Sequence, residues 1–312
     1  MSAVVVATGY GGPEVLSVVD LPAPEPGADE VRIAVRAAGV NPIDYKTYSG
    51  AFGSDPSALP MRLGAEAAGV VTAVGSDAAT TLSVGDEVIA YRVPGAYAAE
   101  VVVPAAAVVP KPPGVTWEEA GGLLLTGGTA VHTIAAVDLQ PGETVLIHGG
   151  SGGVGLMAVQ LAAERGATVI ATASAARHEL LRELGAIPVA YGDGLADRVR
   201  AVAPGGVDAA LDLIGTDEAV DVSLELVADR QRIATIAAFG RAAQDGIQLL
   251  GGGPGADPGT EIRSAAREQL TEAVAAGRLR VFVARAYPLA DAAEAHRDIR
   301  TGHTTGKIVL VP

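Results

Sequence analysis

The apolar run Thr144–His148 opens into Gly149-Gly150-Ser151-Gly152-Gly153-Val154-Gly155, and a helical stretch, Val154–Arg165, follows at once. Gly150, Gly152 and Gly155 occupy the glycine positions of G-x-G-x-x-G. The first glycine permits a tight turn, the second lets the backbone approach a pyrophosphate, and the third lets helix and strand pack closely. The helix start then offers free N–H groups to phosphate. Taken alone, the motif also describes a flexible turn. Its surroundings decide the matter. Apolar runs at Thr168–Thr172, Val207–Ile214 and Arg232–Ala238 alternate with helical segments at Arg177–Leu184 and Asp217–Val227. Buried strands alternating with amphipathic helices specify a doubly wound parallel sheet. A dinucleotide is therefore expected on Gly150, Ser151, Gly152, Gly153, Val154 and Gly155.

Residues 1 to about 115 follow a different period. Val31, Ile33 and Val35 alternate with Arg32, Ala34 and Arg36, as in a half-buried strand. Short runs at Gly69–Val74, Glu87–Ala90 and Glu100–Val103, separated by turn residues, suit a partly open barrel. A proline-containing linker, Lys111–Gly114, precedes the capping box Thr116-x-x-Glu119 and a long helical stretch. Helices are also expected at Glu261–Ala276 and Asp291–Arg300, and a last strand at Ile308–Val311. Gly251–Gly259 reads as a flexible loop with no assignable chemistry.

Cysteine is absent, which excludes disulfides, thiolate catalysis and cysteine-ligated zinc. A net charge of −14 argues against nucleic acid or an anionic membrane as a partner. No apolar run approaches the roughly 20 residues that span a bilayer. The start, MSAVVVATGY, lacks a basic leader, so a cytoplasmic location is expected.

The same loop admits a rival reading. Gly149-x-Ser151-x-Gly153 matches the nucleophile elbow G-x-S-x-G, with Asp212 and His296 following in hydrolase order. That serine hydrolase would leave Gly155 and the β-rich domain without a role. Ser151 is better placed as a donor near a pyrophosphate, and His296 is expected on the exposed face of a late helix. An NAD site carries an acid about 20 residues past the glycines to bind the ribose 2′-hydroxyl. Here the second strand ends Thr172-Ala173-Ser174, and Arg177 follows. A hydroxyl and a guanidinium suit a 2′-phosphate. Arg177 alone would also pass for a solvated helix residue, so the missing acid is the stronger argument. NADPH is the expected cofactor.

Several further motifs stand in order: Tyr10-Gly11-Gly12-Pro13-Glu14-Val15-Leu16, Ala38-Gly39-Val40-Asn41-Pro42-Ile43-Asp44, Gly64-Ala65-Glu66-Ala67-Ala68-Gly69-Val70-Val71, and Val84-Gly85-Asp86-Glu87-Val88. Tyr287-Pro288-Leu289-Ala290 and Thr304-Thr305-Gly306-Lys307-Ile308-Val309-Leu310 complete the set. Along essentially its whole length the chain resembles the quinone oxidoreductase (zeta-crystallin-like) branch of the zinc-free medium-chain dehydrogenase/reductases. The resemblance implies an α/β protein: a GroES-like β-rich catalytic domain (1–117 and 285–312) and a Rossmann domain binding NADPH (118–284), assembled as a homodimer. It implies Ser174, Arg177 and Tyr191 around the adenosine 2′-phosphate, and Thr129, Phe239, Gly240 and Lys307 along the ribose and nicotinamide. Tyr191 equally suits packing at a strand end, and Lys307 an ordinary surface position. Zinc-containing relatives place a cysteine where this chain has Asn41, so no metal is expected and Asn41 is a candidate contact to nicotinamide or substrate. The chain departs from the family pattern at Thr126-Gly127-Gly128-Thr129 and in the glycine-rich Ala242–Ile262, the segment that in the family helps form the dimer and one wall of the substrate pocket.

No strong acid–base constellation is visible. Hydride transfer to a quinone or an α,β-unsaturated carbonyl needs positioning and a donor where negative charge develops on oxygen. Tyr45 and Tyr48 are the candidate donors, with Tyr97 and Asn41 as further substrate contacts, although aromatic side chains packing a loop read the same way. A protein that binds NADPH without turnover, a sensor or structural component, is the alternative class.

Overall fold

The computed structural model describes every residue from Met1 to Pro312. The chain forms two compact units, Met1–Leu125 with Arg267–Pro312, and Thr126–Ala266. This division falls inside two helices, whereas the sequence suggested boundaries at 117/118 and 284/285.

The first unit is built on β1 (Ser2–Ala7), β2 (Leu16–Leu21), β3 (Glu30–Val40), α1 (Pro42–Tyr48), β4 (Met61–Arg62), β5 (Glu66–Val74), β6 (Glu87–Tyr91), β7 (Glu100–Pro104) and β8 (Val108–Pro110). Strands β2, β1 and β4 make one small antiparallel sheet. β3 anchors the larger sheet, because its alternating Val31, Ile33 and Val35 share one buried face with their cross-strand neighbours Val71, Val101 and Val103. The helical stretch after Thr116 is in fact two helices, α2 (Trp117–Gly121) and α3 (Leu124–Ala136). Two consecutive glycines explain the break, since glycine is the weakest helix former after proline. Close packing fixes its place, because a Cβ on Gly121 would lie 2.7 Å from the Ala37 carbonyl oxygen. The capping box forms as expected, with Thr116 Oγ1 accepting from the Glu119 N–H and Glu119 Oε2 accepting from the Thr116 N–H.

The second unit contains β9 (Thr144–His148), α4 (Gly153–Glu164), β10 (Thr168–Thr172), α5 (His178–Glu183), β11 (Ala186–Val189), α6 (Leu195–Val202), β12 (Ala209–Asp212), α7 (Asp217–Leu226), β13 (Ile233–Thr235), α8 (Phe239–Asp245) and β14 (Gln248–Leu249). Its six strands are parallel in the order β11-β10-β9-β12-β13-β14. The sheet is doubly wound. β9 sits at its centre, where the chain turns first toward β10 and later toward β12, and ligands bind such sheets at that switch point. Sequence periodicity missed β11, α6, α8 and β14. β11 holds Pro188 and β14 has two residues, and both lie at sheet edges where packing imposes no long apolar run.

The chain then runs through α9 (Thr260–Ala275) to β15 (Val283–Pro288), α10 (Ala292–Arg300) and β16 (Lys307–Val311). β16 lies antiparallel to β3, with Ile308 opposite Val40 and Leu310 opposite Ala38, so the last strand completes the first unit's sheet. α10 buries Ala292, Ala295 and His296 against that core. His296 is thus fully enclosed, contrary to the exposed position expected from the sequence, because the apolar stripe of α10 passes through it. No helix is long and apolar enough to cross a membrane.

Candidate functional site

In the second unit the glycine loop turns at the carboxyl end of β9. Gly149 adopts φ 74°, a left-handed conformation that favours glycine. Its N–H donates to Thr172 Oγ1 at 3.2 Å and the Gly150 N–H to the Thr172 carbonyl at 3.0 Å, which ties the loop to β10. Gly155 permits the close approach of α4, since a Cβ there would stand 2.2 Å from the Gly149 carbonyl oxygen. Gly152 is the N-cap of α4, and a Cβ added there would meet nothing nearer than 3.4 Å. No side chain caps the helix. Ser151, Gly152, Gly153 and Val154 are partly open to solvent. The result is a row of uncapped amides beside open space, as a phosphate group requires.

Next to this loop, β10 and β11 pair with Thr172 opposite Val189, and the Ala173 N–H donates to the Val189 carbonyl. That register sets Ser174 and Tyr191 just past adjacent strand ends. Ser174 caps a 3-10 turn, Ala175–Arg177, that leads into α5. Ser174, Arg177 and Tyr191 are all exposed, and no carboxylate stands at the end of β10. Thr129 is buried within α3, while Phe239 and Gly240 open α8 beyond β13. Gly253 presses on the Phe239 ring, where a Cβ would fall 2.1 Å from Cε1, so part of the glycine-rich loop is a packing surface.

The hydrolase reading fails on these details. Asp212 accepts from the Ile214 and Gly215 N–H groups through Oδ1 and from Thr235 Oγ1 at 2.7 Å through Oδ2. His296 Nδ1 shares a 2.9 Å hydrogen bond with Tyr48 Oη. The carboxylate and the imidazole are committed elsewhere, so no triad is formed. Beside Asp212, burial drives the His148 pKa down to about 4.

In the first unit, Asn41, Glu66 and Lys307 form a buried cluster. Lys307 Nζ donates to Asn41 Oδ1 at 2.6 Å, to Glu66 Oε1 at 3.0 Å and to the Val40 carbonyl at 3.1 Å. Asn41 Nδ2 in turn donates to Glu66 Oε1 and to the Gly39 carbonyl, each at 3.1 Å. Lys307 is therefore neither a surface lysine nor a free donor, because its three N–H bonds all have acceptors. Asp44 Oδ2 accepts from the Asn41 N–H at 2.9 Å and from Tyr97 Oη at 2.7 Å. Burial raises the Asp44 pKa to about 6, against the opposing pull of Tyr97, the Asn41 amide and Lys307. Tyr48 and Tyr97 are fully buried core residues. Burial pushes the Tyr48 phenol up to about 12 and the Tyr97 phenol well above its ordinary value. The expectation that either phenol stands free to meet a substrate is corrected, since their packing against His296 encloses both. Tyr45 alone of the three keeps exposed surface, under the Arg300 guanidinium. Sequence reading did not single out Glu66 or Asp44, although an acid inside the apolar run Gly64–Val71 was a signal for a buried, paired carboxylate.

A GroES-like β unit closed by the C-terminal strand, joined to a Rossmann sheet with its glycine loop at the switch point, defines a medium-chain dehydrogenase/reductase. Comparison with known proteins narrows this. A family model described as alcohol dehydrogenase GroES-like domain matches residues 27–113, and one described as zinc-binding dehydrogenase matches residues 184–310. A Pseudomonas aeruginosa quinone oxidoreductase is 34% identical, over 97% of this chain and 97% of its own. A mycobacterial protein solved in complex with NADPH superposes with a TM-score of 0.86 at 34% identity, covering 100% of both chains. Escherichia coli quinone oxidoreductase, solved with NADPH, gives a TM-score of 0.87 at 28% identity, covering 99% of this chain and 100% of that one. The chain belongs to the quinone oxidoreductase branch of the medium-chain dehydrogenase/reductases.

Proposed function

We propose that this chain is an NADPH-dependent reductase that delivers hydride to a quinone or an α,β-unsaturated carbonyl compound and uses no zinc. The observation that carries the cofactor reading is the end of β10. An exposed hydroxyl and guanidinium, Ser174 and Arg177, stand where an NAD site would carry an acid. Two of the similar structures are NADPH complexes, and the uncapped amides of Gly153 and Val154 fit a pyrophosphate. NADPH, when bound, would supply the reducing equivalents as hydride, and one-electron quinone reduction, two-electron quinone reduction and enone reduction are the three outcomes this chemistry allows. The chain's own part is to bind, orient and donate. Ser174, Arg177 and Tyr191 hold the 2′-phosphate, while the glycine loop positions the pyrophosphate and Thr129, Phe239 and Gly240 the ribose and nicotinamide. Asn41 is held rigid by Lys307, Glu66 and the Asp44 carboxylate. Both of its amide hydrogens are engaged and its Oδ1 already accepts from Lys307 Nζ, so what it can offer a ligand is the remaining lone pair of Oδ1. Tyr45 is the phenol best placed to donate toward the substrate oxygen.

The donor set does not fit zinc. The chain has no cysteine and no group of three or more His, Asp or Glu side chains suited to a metal. The Lys307 ammonium already lies against Asn41 and Glu66, where a dication would meet a like charge. The zinc-binding dehydrogenase match covers 184–310 and leaves out Asn41. Residues 1–117 with 285–312 as catalytic domain, 118–284 as cofactor domain, and a cytoplasmic homodimer belong to the same proposal and rest on the resemblance. Separate assays with NADPH and either 1,4-benzoquinone or methyl vinyl ketone, with product analysis, test it. Loss of dihydronicotinamide absorbance with reduced product supports the proposal. Tight NADPH binding without oxidation by either acceptor points to a sensor instead, a reading that the enclosure of Tyr48 and Tyr97 favours.

A further inference from the structure

Tyr191 stands on a five-residue loop, Ala190–Gly194, between β11 and α6. The loop is wound around one side chain. Arg198, one turn into α6, donates through Nε to the Ala190 carbonyl at 3.0 Å, through Nη2 to the Gly192 carbonyl at 2.7 Å, and through Nη1 to the Asp193 carbonyl at 2.6 Å. All three acceptors are backbone carbonyls and none is a carboxylate. Gly192 and Gly194 take φ of 98° and 77°, which lets successive carbonyls turn toward the guanidinium. From the other side, the Gly192 N–H donates to Glu218 Oε2 at 3.1 Å. The Tyr191 carbonyl is left out of this ring of acceptors, and its side chain is turned out, 56% exposed. An aromatic side chain in water on a loop held this tightly is poised for a ligand.

We propose that Arg198 is a positioning residue for dinucleotide selectivity: its three-carbonyl clamp fixes Tyr191 beside Ser174 and Arg177, so that the phenol reaches the adenosine 2′-phosphate. This rests on the NADPH reading above and adds a residue that touches no ligand. The clamp depends on the planar fork of guanidinium, which a lysine ammonium cannot reproduce toward three diverging carbonyls.

The test is calorimetric titration of adenosine 2′,5′-bisphosphate and adenosine 5′-monophosphate into wild type, Arg198→Met, Arg198→Lys, Tyr191→Ala and the Arg198→Met/Tyr191→Ala double variant. The monophosphate shares every contact except those to the 2′-phosphate. Either Arg198 variant is expected to bind the bisphosphate about tenfold more weakly, the scale of one hydrogen bond to a charged group, with the monophosphate changed by less than about twofold. In the Tyr191→Ala background Arg198→Met is expected to cost nothing further, because both changes remove the same contact. Equal weakening of both nucleotides, full retention in Arg198→Lys, or additive losses in the double variant would each overturn the clamp. Wild type that does not prefer the bisphosphate would instead overturn the NADPH reading, whatever the variants do.

Discussion

A methyl group on Gly155 would collide with the Gly149 carbonyl oxygen at 2.2 Å, while one on Gly152 would meet nothing closer than 3.4 Å. The two glycines thus separate stability from binding. Gly155→Ala is expected to destabilise the fold by about 1–3 kcal/mol, as overpacking does, and to weaken NADPH binding as α4 is pushed away. Gly152→Ala is expected to leave the thermal midpoint unchanged yet weaken NADPH at least tenfold, since the methyl fills the pyrophosphate's approach. Thermal melts and cofactor titrations on both variants check the contrast; equal effects on stability would contradict it. His296 gives a pH-dependent case. Burial and the Arg300 charge lower its pKa to about 4 from 6.5, so below pH 6.5 the unfolded chain binds a proton that the folded one refuses. Its contribution to stability is complete above pH 6.5 and is lost as pH falls toward 4. In that window His296→Gln, which can still bond Tyr48, is expected to show a shallower fall, by up to about 1.4 kcal/mol per pH unit. Urea denaturation at pH 7 and pH 5 measures it; parallel pH dependence in wild type and variant would refute the assignment. The glycines were legible because their spacing is itself the constraint. His296 was not, because its burial depends on which stripe of α10 meets β3 and β16, a tertiary fact.

At the level of elements, Lys307 joins three strands: it begins β16 and bonds the Val40 carbonyl at the end of β3 and Glu66 at the start of β5. Glu66 also accepts from the Leu125 N–H at the start of α3. Removing one partner of a buried pair leaves the other charge uncompensated, at a cost of ~3–5 kcal/mol. Lys307→Met is expected to show a loss of that size by chemical denaturation, and a Glu66→Leu/Lys307→Met double variant is expected to lose less than the two single losses combined. Strict additivity would mean the pair is not coupled. The sequence marked β3, β5 and β16 as strands through their β-branched runs, since alternation or continuity of apolar residues is a local signal. It was silent on the Lys307–Glu66 pair, whose members are 241 positions apart. Edge elements such as β11 and β14 escaped for the opposite reason, having too little buried surface to impress a pattern on the sequence.

For the whole molecule, the net charge of −14 sets the field against polyanions, so the proposed binding of phosphate groups rests on local donors, Arg177 and the α4 amides. Filter binding of single-stranded RNA at physiological ionic strength is expected to show no retention; salt-sensitive retention would reveal a basic surface that the composition does not supply. Doubly wound sheet, β-rich partner unit and glycine loop were all readable from order and periodicity, since each rests on local pattern. The burial of Tyr48 and Tyr97 was not, because it is set by contacts with Asp44 and His296 at distant positions. The most direct measurement is a fluorescence titration of NADPH and of NADH into the protein, followed by addition of 1,4-benzoquinone while the dihydronicotinamide absorbance is recorded. NADPH is expected to bind at least tenfold more tightly than NADH, by the same charge-assisted contacts to the 2′-phosphate, and to be oxidised when the quinone is added. Equal affinity for the two, or NADPH that binds and stays reduced with quinone present, would contradict an NADPH-dependent quinone reductase.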